Sequence, residues 1–156
     1  MKLFLNILCL FFFVSNCLAE DFTIKEAGTN AIAQEDYELA YKIWLPLAEK
    51  GDSEIQFAVA MLLANGYGHG EKKPSIEQRE KRALVWIRKS SLAGNNDAMK
   101  WLSDAYKNGW FNLSKNEKLS DCWKKASKSK VTSLECKVLE EKESKKKEEE
   151  RGQVSY

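Results

Sequence analysis

The chain has 156 residues, 44% apolar and 31% charged, enough for one domain, or one domain and a tail, and no more. Its 25 basic and 23 acidic side chains leave a net charge of +2, too small to draw it to nucleic acid or an anionic membrane. A single histidine, His69, excludes histidine-based metal clusters, and two prolines with eight glycines disfavour a loop-rich or all-β fold.

The chain opens on an address. Lys2 supplies a positive end, and Leu3 to Val14 is apolar except for Asn6. That run of 12 is short of the roughly 20 apolar residues a membrane-spanning helix needs, and it fits the hydrophobic region of a secretory signal. Cys17-Leu18-Ala19 places small residues at the −3 and −1 positions, so cleavage after Ala19 leaves Glu20 as the mature N-terminus. Val14 to Cys17 also resembles a lipobox, with the bulky Asn16 where a small residue is wanted, and anchoring through Cys17 is the rival reading. The expected location is the periplasm or the medium, with no membrane span. The predicted organisation is a signal peptide over 1–19, a helical domain over 20–130, and a capping helix with a charged tail over 131–156.

Beyond the leader the chain repeats itself. Ile55, Ala58, Val59, Leu62 and Leu63 have the spacing of a helix burying one face, and the same five positions recur 43 residues on as Ala98, Trp101, Leu102, Ala105 and Tyr106. A second stripe, Ala40-Ile43-Trp44-Leu47, recurs as Ala83-Trp86-Ile87-Ser90 and as Leu119-Cys122-Trp123-Ala126. Gly51, Gly94, Gly66 and Gly109 fall where left-handed helix ends are wanted, and Asp52, Ser75 and Ser114 where N-caps are wanted. These spacings predict an all-α fold: a short α-solenoid of about three antiparallel helical hairpins, capped by the 21–34 segment and by a helix over 131–142. Trp44, Trp86 and Trp123 are expected between helices, in the core.

An insertion, Tyr67-Gly68-His69-Gly70-Glu71-Lys72-Lys73-Pro74, interrupts the repeat. Its glycines predict mobility, and it reads either as a tolerated surface loop or as a contact for a partner. Ser127-x-x-Lys130 and Ser144-x-x-Lys147 match a short catalytic pattern but sit in lysine-rich stretches without its context, so no enzyme and no cofactor are expected. Export leaves Cys122 and Cys136 as an even pair in an oxidising compartment, and a turn near Ser129 brings them opposite one another. A disulfide is the favoured reading, two separate thiols the other. From Glu140 to Arg151 every residue but Ser144 is charged, which predicts a solvated helix with no face to bury.

Ala98-x3-Leu102-Ser103-x2-Tyr106-x2-Gly109, the Leu119 to Ser127 helix and Ala83-x2-Trp86-x3-Ser90-Ser91-x2-Gly94 together resemble the Sel1-like repeat, a relative of the tetratricopeptide repeat. Asp36-Tyr37-x2-Ala40-x3-Trp44-x-Pro46-Leu47-Ala48-Glu49-x-Gly51-Asp52 is similar to the first segment of many exported bacterial proteins of that kind. The resemblance covers residues 36–128 and departs from the pattern at Val59-Ala60 and in the insertion after Gly66. It implies a scaffold or adaptor that binds another protein. A narrower alternative it also implies is an immunity protein that neutralises a toxin, such as a lipase, delivered to the periplasm.

The candidate binding surface comes from a difference between equivalent helices. The outward positions Lys100, Ser103, Asp104 and Lys107 are polar, whereas the matching Phe57, Ala60, Met61 and Ala64 are apolar. The first helix is therefore apolar all round, either covered by the 21–34 segment or lining a groove. In the groove reading Phe57 and Met61 form the floor, and Tyr67, Trp110 and Phe111 one rim.

Overall fold

The computed structural model describes residues 21–70, 74–129 and 133–153. The leader, its cleavage point and Cys17 lie outside the described residues. The described chain is all-helical, with no strand among the described residues: α1 (21–33), α2 (Tyr37–Glu49), α3 (Ser53–Asn65), α4 (Ile76–Leu92), α5 (Asn96–Asn108), a single 3-10 turn at Trp110–Asn112, α6 (Glu117–Ser129) and α7 (Leu134–Gln153). Each helix packs on the next in chain order, most extensively α3 on α4 and α5 on α6, so the fold is a short helical-repeat solenoid.

The repeat is visible in the helix ends. The Asp52 carboxylate accepts from the backbone N–H groups of Glu54 and Ile55 at the start of α3; 43 residues on, Asn95 does the same for Asp97 and Ala98 at the start of α5. Gly66 and Gly109 close those two helices in the left-handed conformation, at φ 98° and 80°. Ser75 and Gln78 form the reciprocal capping box that their spacing predicts. Ser114, expected as an N-cap, does not cap α6, which begins three residues later at Glu117. Asn116 takes that role, its side-chain oxygen accepting from the Leu119 N–H at 3.0 Å. The extended backbone around Leu113 carries the chain two residues further before the helix can start.

The core is the two repeating stripes with adjustments. Val59, Ala60 and Leu63 of α3, Ala83 and Ile87 of α4, Leu102 of α5 and Trp123 of α6 are buried. Ala60, expected on the outward face, is inside, whereas Ala58 is only half-buried. Trp44 and Trp123 are core as expected. Trp86 is not: it is half-buried, and the Lys89 ammonium stands 4.3 Å over its ring. Ser90 and Ser91 are fully buried and hydrogen-bonded, Ser90 donating to the Ser53 carbonyl of α3 at 2.6 Å.

Both ends are capped. α1 lies across Trp44, whose indole N–H donates to the Lys25 carbonyl at 3.3 Å. Gly28 allows that approach, because a Cβ there would sit 2.0 Å from the indole nitrogen. At the other end α7 is joined to α6 by the Cys122–Cys136 disulfide, with Cα atoms 5.6 Å apart. Of the apolar residues of α7, Leu139 packs against the core but Leu134 and Val138 do not. Leu134 is 59% and Val138 43% exposed, and the helix instead turns Ser133, Cys136 and Glu140 inward.

Candidate protein-binding groove

α1, α2 and α3 leave an open groove of about 580 Å³ between them, lined chiefly by Ile32 of α1, Tyr37 and Trp44 of α2, Met61 and Asn65 of α3, and Tyr67. Apart from Asn65 the lining is aromatic and aliphatic, because Ile32, Trp44 and Met61 belong to apolar faces that the three helices do not fully bury against one another. A thioether among flat rings can adapt to another protein's side chains.

The residues after α3 build one wall. The left-handed Gly66 turns the chain, and the Tyr67 N–H returns to the Leu62 carbonyl at 3.0 Å. The Tyr67 ring then packs on Tyr37 with centroids 4.7 Å apart. Gly68 donates its N–H to Glu38 at 3.0 Å and lies flat on the Tyr41 ring, where any Cβ would approach to 2.5 Å. His69 donates through Nε2 to the Leu63 carbonyl at 3.0 Å and accepts at Nδ1 from the Arg82 guanidinium. The insertion through His69 is therefore fastened to α2, α3 and α4. Gly68 is the residue that fits under a ring, where a side chain could not.

The five residues singled out from the sequence do not share one place. Met61 and Tyr67 line the groove. Phe57 is half-buried against the core and does not line it. Trp110 and Phe111 flank Trp101 of α5, at centroid distances of 5.9 and 4.6 Å, and form a separate aromatic group after α5. Trp110 is 44% exposed there, and Phe111 and Asn112 take left-handed backbone at φ 52° and 56° to bring the rings together.

A second constellation was not foreseen. Glu140 of α7 is drawn inward to 11% side-chain exposure and accepts three hydrogen bonds. The Arg88 guanidinium donates at 3.0 Å, the Tyr106 hydroxyl at 2.8 Å and the Trp123 indole at 3.0 Å. Burial and the adjoining carboxylate hold the Tyr106 hydroxyl protonated far above its ordinary range. In the sequence Glu140 was one more charge in a charged run. The only local hint is that it stands seven residues after the buried Ser133 and one after Leu139.

Among the described residues no cluster of metal-ligating side chains occurs, and no helix is long and apolar enough to cross a membrane. The sequence matches no protein-family model, no curated protein and no solved structure.

Proposed function

We propose that the chain is an exported Sel1-like repeat protein that binds another protein through the α1–α3 groove, acting as a scaffold or adaptor and not as an enzyme. The observation that carries the reading is the groove: an apolar, aromatic and thioether-lined channel kept open between packed helices, with its Tyr67 wall fastened in place. Such a surface suits a partner's helix or loop bearing apolar side chains. The 43-residue recurrence of caps and glycine ends supports the repeat assignment. The Cys122–Cys136 disulfide fits an oxidising compartment and so supports export.

The test is a charge placed in the channel. Met61→Glu is expected to keep the helical spectrum and a cooperative melt while abolishing co-purification of the partner that the native protein brings down. Retention of that partner by a folded Met61→Glu protein places the interaction elsewhere.

A further inference from the structure

At the opposite end of the solenoid from the groove, α7 is held in an unusual way. A capping helix ordinarily lays an apolar stripe on its neighbours. α7 leaves Leu134 and Val138 in solvent, and among its described residues Cys136, Glu140 and the half-buried Leu139 turn inward, behind the buried Ser133 at its start. The fastenings that hold it include the disulfide to Cys122, the Ser133 hydroxyl on the Ser91 carbonyl at 2.7 Å, the Glu140 carboxylate, and a 3.3 Å bond from Asn116 to Glu143. Apart from the disulfide these are polar contacts, whose groups water can satisfy once the helix lifts. The helix also carries its own internal support, such as the Lys137–Glu141 pair, so it can leave as a helix.

What lies beneath is already organised. Arg88 of α4, Tyr106 of α5 and Trp123 of α6 aim three donors at one point, and that point holds a carboxylate. The three donors sit on helices packed to one another without α7, so the socket outlasts its occupant.

We propose that α7 is a redox-released latch: reduction of Cys122–Cys136 frees it from the solenoid and uncovers a carboxylate-binding socket formed by Arg88, Tyr106 and Trp123. The reductant is a dithiol. One of its thiolates attacks the half-buried Cys122 sulfur, and the buried Cys136 leaves as a thiolate and takes up a proton. The second thiol of the reductant resolves the mixed disulfide, releasing Cys122 as a thiol and the reductant as its own disulfide. Two electrons pass in all, and α7 loses its covalent tether one turn from Glu140. The chain-entropy account of a cross-link with a sequence separation of 14 makes that tether worth on the order of a hundredfold in the closing equilibrium.

The experiment is amide hydrogen exchange on the intact mature protein, with and without dithiothreitol, alongside tryptophan emission. On reduction, exchange in 134–146 is expected to rise by at least roughly tenfold while α2 to α5 keep their protection. Emission is expected to shift to the red as Trp123 loses its cover, and reoxidation reverses both changes. Unchanged exchange in α7 after complete reduction overturns the latch, because the polar contacts then suffice alone. Loss of protection throughout the chain also overturns it, because the disulfide is then a support of the whole fold. Oxidised Glu140→Gln separates the two fastenings: α7 is expected to stay protected in it, and opening in that oxidised variant would show that the carboxylate, not the disulfide, is the latch.

Discussion

Asp52 joins two structures at once. One oxygen caps α3, accepting from Glu54 and Ile55 at 3.1 and 3.0 Å, and the other meets the Lys25 ammonium of α1 at 2.7 Å. Partial burial opposes its ionisation, but Lys25 and the helix N–H groups outweigh it and hold the carboxyl below its ordinary 3.8. The folded form thus binds its proton less readily than the unfolded chain, so the stabilisation is complete above about pH 4 and is lost as pH falls through the folded value. Asp52→Asn keeps the cap and loses the ion pair. Its deficit in urea melts is expected at neutral pH and should shrink below pH 4; a deficit independent of pH would show that Lys25 contributes nothing. The tryptophans give a second contrast. Trp123 is 1% exposed and hydrogen-bonded, so Trp123→Ala is expected to cost about 3–5 kcal/mol. Trp86 is half-open under Lys89, and Trp86→Ala should cost only about 1–2 kcal/mol. Equal losses in parallel melts would contradict the burial difference. The stripe arithmetic made these residues equivalent because periodicity reports which face a side chain occupies, not what covers it. Trp44 is closed over by α1 and its Gly28; Trp86 has no such lid.

Helix ends behave as local chemistry, which is why most of them were legible. Asp52, Ser75, Gly66 and Gly109 act through groups within a few residues, and the sequence contains both partners. α6 is the exception, because Ser114 and Asn116 are both competent caps and the choice depends on where the chain leaves Trp110–Asn112. The Asn116 N–H donates to the Tyr106 carbonyl at 2.9 Å, a contact across α5 that favours the later start. Asn116→Ala is expected to lower stability by about 1–2 kcal/mol, and Ser114→Ala to change it by less than about 0.5 kcal/mol. The reverse order in urea midpoints would restore the Ser114 cap. α7 shows where local reading ends. Its charges satisfy the i, i+4 pattern of a solvated helix whether or not one of them is buried. Arg88, Tyr106 and Trp123 lie 52, 34 and 17 residues before Glu140, and nothing near Glu140 marks them as its partners.

At the scale of the molecule, the two ends of the solenoid differ in character. The α1–α3 end is apolar and open; the α7 end is polar and fastened shut. The apolar all-round character of α3 was readable and pointed toward a groove, but its membership was not, because Phe57, Ala58 and Ala60 differ only in which neighbouring helix reaches them. Ala58 lines the channel, Ala60 is core and Phe57 packs against the core. Trp110 and Phe111 looked like a rim because they follow a helix-ending glycine as Tyr67 does. The repeat places them one hairpin further along the stack, beside Trp101. The groove is the proposed binding surface, and contact there can be read directly. A photo-crosslinking residue at position 61, compared with one at position 104 on the exposed face of α5, reports what each face touches in the producing cell. A discrete covalent adduct with one protein at position 61, and none at 104, is the predicted result. No adduct at 61, or the same adducts at both positions, would contradict it.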